Sequence, residues 1–141
     1  MVKKKELQEK LILYQLLKAR LESLNNQRNI LLSKLLETDR TLESLNYIQD
    51  KEGKTIFPIG SGIYLRTSGY EKGRVIVDIG ANVLLEKDLK DAKEILERRR
   101  KELEKFLVEI SNTMLSLSSK LEETSKEIQR MAKENVQNTK G

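Results

Sequence analysis

The residue types that most often carry out chemistry are absent from this chain or misplaced in it. There is no Cys and no His. Thiolate nucleophiles, disulfides and Cys-based metal sites are therefore excluded, and the usual general base and commonest metal ligand are missing. Gly53-Lys54-Thr55 looks like the end of a phosphate-binding loop, but that pattern needs a glycine where Ile48 stands. Gly60-Ser61-Gly62 looks like the start of a dinucleotide fingerprint, but Leu65 occupies the third glycine position. Both read as turn glycines. Glu122-Glu123 falls on a charged helix face with no apolar wall to shift a pKa. No catalytic constellation exists, so neither an enzyme nor a cofactor is expected. What the residues do support is apolar contact. Leu11, Ile12, Leu13, Leu16 and Leu17 crowd one helical turn, and Ile128, Met131 and Val136 lie near the other end of the chain.

The elements that would position these residues are legible from periodicity. Residues 5–49 contain no Gly and no Pro. One seam column reads Leu7, Tyr14, Leu21, Arg28, Leu35, Leu42 and the other Lys10, Leu17, Leu24, Leu31, Thr38, Leu45. This heptad spacing predicts a long helix, roughly 65 Å at 1.5 Å per residue, with Arg28 either fixing register or snorkelling to the edge. A second helix is expected over 88–135, opened by Asp88 and Asp91, with a seam from Leu89 to Met131. Its seam holds a stutter at Arg99-Leu103-Leu107, beside which Phe106 is placed to fill the altered packing. Residues 136–141 are expected to fray.

Between the helices, residues 55–87 are rich in β-branched side chains and repeat themselves. Ile59-Gly60-Ser61-Gly62-Ile63-Tyr64-Leu65 is echoed by Ile79-Gly80-Ala81-Asn82-Val83-Leu84-Leu85. Phe57, Ile59, Ile63, Leu65, Val75, Val77, Ile79, Val83 and Leu85 all fall on odd numbers, the period-2 spacing of strands with one buried face. Two β-hairpins follow, joined by a turn over 68–73. So small a sheet is marginal alone and its edges are open. The nine odd-numbered residues are therefore expected to form an oligomer interface, closing a barrel between chains. The fold class is α+β, mostly α, in a single domain over 1–141. It is a long antiparallel coiled-coil hairpin whose bend is the two β-hairpins. Residues whose numbers sum to about 137 should face each other across the helices.

The chain has 141 residues and a net charge of +5, with 35% charged and 4% aromatic residues. That composition suits coiled-coil helices better than a compact globule. No apolar run is long enough for a secretory core or a membrane span, so a cytoplasmic protein with no membrane partner is expected. The excess apolar surface near the termini marks an interaction site, or else closes the end of the helix pair. A nucleic-acid-binding coiled coil is the rival, on the clusters Lys3-Lys4-Lys5 and Arg98-Arg99-Arg100-Lys101. Acidic neighbours and the lack of an aromatic platform argue against nucleic acid. A purely structural coiled-coil oligomer is the other alternative.

Helix, two Gly-turned hairpins, helix: this layout resembles the alpha-type subunit of archaeal prefoldins over essentially the whole chain. The residues that carry the likeness are Phe57-Pro58-Ile59-Gly60-Ser61-Gly62-Ile63-Tyr64-Leu65 and residues 77–89, which end in Glu86-Lys87-Asp88-Leu89. Asn82 departs from the usual second turn glycine, but Asn also tolerates the left-handed region. The resemblance implies an ATP-independent chaperone without cofactors. It implies a hexamer of two alpha-type and four beta-type subunits that captures unfolded clients and delivers them to a group II chaperonin. On that reading Leu7, Leu11, Ile12, Leu13, Leu16, Ile128, Met131 and Val136 are the client-binding residues.

Overall fold

The protein is described by a computed structural model covering residues 2–49, 54–71 and 73–139. Helix α1 spans Val2–Gln49 and helix α2 spans Leu89–Thr139. Between them run β1 (Thr55–Gly60), β2 (Ile63–Thr67), β3 (Arg74–Gly80) and β4 (Val83–Asp88). Helix α2 starts one residue later than the spacing suggests and passes well beyond 135, so Val136 is helical rather than frayed. Ala132 and Glu134 supply good helix propensity there, and no Gly or Pro intervenes before Gly141. The stop assigned to Gly53, Lys72 of the connecting turn and the last two residues of the tail lie outside the described residues.

The chain divides into two compact units, one of residues 2–32 with 105–139 and the other of residues 33–104. In the first unit the helix segments run antiparallel. Lys10 Nζ lies 2.6 Å from Glu127 Oε2, a pair whose numbers sum to 137. The hydrogen bond from Lys10 and its positive charge hold the Glu127 carboxyl below the usual carboxylate range. The seam follows the heptad columns. Leu17 and Leu24 are buried, Leu24 to 4% exposure, and Leu7, Tyr14, Leu21 and Leu31 are half-buried. Arg28 is exposed, as snorkelling requires. Thr124 is a buried polar seam residue, and its hydroxyl donates to the Lys120 carbonyl at 2.7 Å. A polar group that satisfies itself one helical turn back costs the seam little. Phe106, expected to fill the stutter, is instead exposed. It stands one position before the seam residue Leu107, and a side chain so placed flanks the contact line rather than entering it.

In the second unit Asp39 Oδ1 pairs with Arg100 Nε at 2.9 Å, again antiparallel. The core is small: Leu45, Leu89 and Ala92 are buried, with Ile48, Val75, Val77 and Leu96 packed around them. The two helix ends are tied by the segment between the hairpins. Tyr70 Oη donates to the Ile48 carbonyl at 2.9 Å, satisfying an acceptor that the last turn of α1 leaves free. The Leu89 amide donates to the Gly73 carbonyl at 2.8 Å, satisfying one of the free donors at the start of α2.

The strands form two separate antiparallel ribbons, β1 with β2 and β3 with β4. Phe57 faces Leu65 and Val77 faces Leu85 in matching registers. Each ribbon shifts register before its turn, at Gly60 and at Gly80, whose φ angles are 132° and 105°. The turn residues that follow are left-handed: Ser61 and Gly62 in the first ribbon, Ala81 and Asn82 in the second. Two consecutive positive φ values match the right-handed twist of a hairpin. Pro58 sits opposite Tyr64 in a ribbon both of whose strands are edges, where a missing amide donor is tolerated.

Two predictions follow from this geometry. The chain has no native Cys, so Lys10→Cys with Glu127→Cys gives a clean background for a short bifunctional thiol reagent. Crosslinking should close within one chain on a denaturing gel; crosslinked dimers alone would show that the helices pair between chains. Ala81 holds a φ of 51°, which costs a side-chain-bearing residue roughly 1–2 kcal/mol. Ala81→Gly removes that strain and adds a smaller unfolded-state entropy loss. The substitution should raise stability by up to about 1 kcal/mol, read as a higher thermal midpoint; a lower one would contradict the turn assignment.

Candidate functional site: exposed apolar surface in both units

The polar groups of the molecule are engaged in structure rather than gathered into a reactive site. Among the described residues no group of three or more acidic side chains is placed to hold a metal ion. None of the described helices is long and apolar enough to cross a membrane. Two of the four cations of the basic cluster at 98–101 are engaged within the chain. Arg99 donates to the Asp78 carbonyl at 2.8 Å. Arg100 pairs with Asp39 and sits within ion-pair reach of Glu97 and Glu104. A nucleic-acid surface needs such cations free to meet phosphates, so this geometry counts against that reading.

Apolar surface is what the fold leaves open, and it occurs in each unit. In the first unit the heptad seam takes Leu7, Leu17, Ile128 and Met131, which are buried or half-buried. Leu11, Ile12, Leu13 and Leu16 lie off the seam and are exposed, Ile12 to 60% and Leu16 to 64%. Helix geometry forces this division, since a two-helix contact covers only a narrow stripe of each helix. Val136 is exposed as well and lines a shallow, mostly apolar groove with Ala132, Lys133 and Gln137. The sequence reading passed over Ala132. Its signal is the four-residue spacing to Val136, which puts the two on one helix face.

In the second unit seven of the nine odd-numbered strand residues are exposed: Phe57, Ile59, Ile63, Leu65, Ile79, Val83 and Leu85. Val75 and Val77 differ, because they pack against the helix junction of Leu45, Leu89 and Ala92. On the second hairpin the odd-numbered face is therefore the one turned toward the chain's own core, with its outer part uncovered, whereas on the first hairpin the odd-numbered apolar residues are all exposed. The even-numbered face also carries apolar residues, which the sequence reading missed. Ile56, Tyr64, Ile76 and Leu84 are exposed. Their signal was present in the repeat, where Ile56 matches Ile76 and Tyr64 matches Leu84 at the same twenty-residue offset.

Comparison with known proteins matches this chain to the prefoldin subunits. Residues 17–134 match the family model for the prefoldin subunit. A prefoldin subunit alpha of Methanoculleus marisnigri is 31% identical over 110 residues, covering 77% of this chain and 74% of that protein. The Pyrococcus horikoshii prefoldin subunit alpha is 28% identical over 130 residues, covering 90% of this chain and 88% of its own. Among solved structures, a filamentous PFD from Methanocaldococcus jannaschii shares the fold, with a TM-score of 0.69. It is 22% identical in sequence, and the match covers 80% of this chain and 95% of that one. The helix–hairpin–hairpin–helix order, the glycine-turned repeat and these matches together show that the chain belongs to the prefoldin family of non-enzymatic chaperones, as an alpha-type subunit.

Proposed function

We propose that this subunit captures unfolded proteins on the apolar surface of its first unit and assembles through the odd-numbered faces of its hairpins. The observation that carries the first part is the exposure of Leu11, Ile12, Leu13 and Leu16 beside a seam that is already filled. Nothing in the stability of a two-helix contact requires four large apolar side chains outside it. Unfolded chains present apolar segments, and their association with such a surface is driven by removing both from water at ~25 cal/mol per Å². Val136 extends the surface, and the half-buried seam residues Leu7, Ile128 and Met131 border it. Any one such patch is small, so grip on a client comes from several subunits holding one chain at once, through effective concentration. No nucleotide chemistry enters, and release follows from weak individual contacts.

The second part rests on the open edges of both two-stranded ribbons and on seven exposed apolar residues of the odd-numbered face. Strand edges and apolar faces of this kind are satisfied together when ribbons from several chains close a barrel. The kinship with prefoldins supports a hexamer of two alpha-type and four beta-type subunits that hands clients to a group II chaperonin in the cytoplasm.

Each part has its own test. Ile12→Ser, Leu13→Ser and Leu16→Ser together should raise the chaperone concentration needed for half-protection of an aggregating client by at least about tenfold. One well-buried Ile or Leu contributes ~1.5–3 kcal/mol, and 1.4 kcal/mol is a factor of about ten. Oligomer mass and helix content should stay as in the parent, since these positions lie off the seam. Protection equal to the parent's would move client binding elsewhere in the molecule. For assembly, Leu65→Asp with Leu85→Asp, both exposed in the single chain, places unpaired charge in the shared core, so the oligomer should dissociate while helix content is kept. An unchanged mass would remove the odd-numbered face as the interface.

A further inference from the structure

The chain carries a net charge of +5, and that charge is not spread evenly. The sequence of the first unit, residues 1–32 with 105–141, holds 13 Lys and Arg against 8 Asp and Glu. Residues 33–104 hold 14 of each and are neutral. The whole excess therefore belongs to the unit that also exposes Leu11, Ile12, Leu13 and Leu16. Like charges repel and weaken the folded state, so the excess is not there for the stability of the helix pair. Lys10 is drawn to the seam by Glu127. That leaves six cations on residues 3–28 against Glu6, Glu9 and Glu22.

Heptad spacing places these cations beside the apolar surface. Lys4, Leu11 and Lys18 stand seven residues apart, as do Lys5 and Ile12, and Leu13 and Arg20. Residues seven apart lie on nearly the same helix face, two turns and about 10.5 Å from each other. The exposed apolar turn is thus bracketed by Lys4 and Lys5 on one side and by Lys18 and Arg20 on the other. All four are exposed, and among the described residues none of them makes an ion pair. Each bracket keeps a basic excess. Lys3, Lys4 and Lys5 stand against Glu6 and Glu9 on the first side, and Lys18, Arg20 and Arg28 against Glu22 on the second. From Lys4 to Lys18 is about 21 Å along the helix, a length that an extended chain spans in about six residues at ~3.3 Å each.

We propose that the first unit selects among unfolded chains, taking extended segments whose apolar centre, about six residues long, is bounded at both ends by Asp or Glu. This rests on the proposed capture surface and adds a sign to it. Apolar burial supplies the hold, while the exposed charges, each weak alone, supply the preference and speed encounter. A nucleic acid is the other polyanion that such cations attract. Its bases stack on aromatic rings, and this turn offers only Tyr14, half-buried in the seam.

The test uses the full-length chain and two fluorescent unfolded peptides with the same apolar centre, one flanked by Glu and one by Lys. Binding is read by fluorescence anisotropy at low and at high salt. The parent should bind the Glu-flanked peptide at least about tenfold more tightly than the Lys-flanked one, and high salt should narrow that ratio. Lys4→Gln, Lys5→Gln, Lys18→Gln and Arg20→Gln together should bring the two affinities within about twofold of each other. Replacing the same four residues by Glu should reverse the preference. Gln and Glu are good helix formers at these exposed positions, and circular dichroism checks that the variants fold. Equal affinities in the parent, an unchanged ratio in the Gln variant, or no saturable binding of the Glu-flanked peptide would each overturn the proposal. So would tighter binding of a single-stranded oligonucleotide than of that peptide. The failures are separable, because Ile12→Ser, Leu13→Ser and Leu16→Ser together should weaken both peptides alike. Undiminished binding in that variant would move the capture surface itself. Weakened binding there, with the parent's ratio kept in the Gln variant, would remove the charge preference alone.

Discussion

The structure of the second unit depends on two hydrogen bonds from one short segment. Helices α1 and α2 end and begin beside each other, although some forty residues of chain lie between those ends. Bringing them together costs loop-closure entropy, and among the described residues the buried apolar core that opposes this cost is Leu45, Leu89 and Ala92. The connector between the hairpins supplies the rest. Through Tyr70 it reaches the last turn of α1, and through Gly73 it reaches the first amide of α2. Both contacts satisfy helix-end groups that would otherwise need water or a capping side chain. The hairpins are consequently attached at their shared base, and most of their strand surface stays uncovered.

Much of this was legible in the sequence, for reasons that differ by element. The heptad columns identified the buried side of each helix because a coiled-coil seam repeats over many turns and each position reinforces the last. Arg28 and Thr38 broke the pattern without breaking the helix: the first is exposed, and the second donates its hydroxyl to the Lys34 carbonyl. The hairpins were legible because the repeat presented the same turn twice, and Asn82 takes a φ of 61° where a second glycine would be usual. Phe106 was misplaced because a stutter changes the phase of a seam by an amount that spacing alone leaves open. The end of α2 was placed too early because a polar sequence was taken as a frayed one, whereas helix propensity continues to Thr139. The even-numbered strand face was missed for a more general reason. Once alternation had assigned one face as apolar, the apolar residues on the other were read as ordinary strand formers.

The two hairpins share an ancestry of pattern but have different attachments. Asp78 Oδ1 accepts from the Gly80 amide at 2.9 Å, and the carbonyl of the same residue accepts from Arg99 of α2. One residue thus fixes the register shift of the second ribbon and joins that ribbon to a helix. At the equivalent position the first hairpin has Pro58, which presets its own φ and carries no carboxylate. The register shift is retained in both ribbons, with a glycine at positive φ in each, so the Asp78 side-chain contact is an addition particular to the second. The exposed apolar residues of the first unit differ again, being set by helix periodicity rather than by any specific bond.

The scarcity of fully enclosed side chains has a consequence for how such a chain persists in a cell. Among the described residues five apolar side chains are buried, while much of the apolar surface of the strands is exposed. A protein of this kind derives part of its folding free energy by mass action. A partner present at about a hundred times its dissociation constant adds ~2.7 kcal/mol to the folded state, and dilution removes it again. Supply of partners then governs abundance as well as activity. Copies made in excess would spend more of their time locally opened and would be cleared by proteases first, so that stoichiometry is corrected by turnover of unassembled subunits without any dedicated sensor.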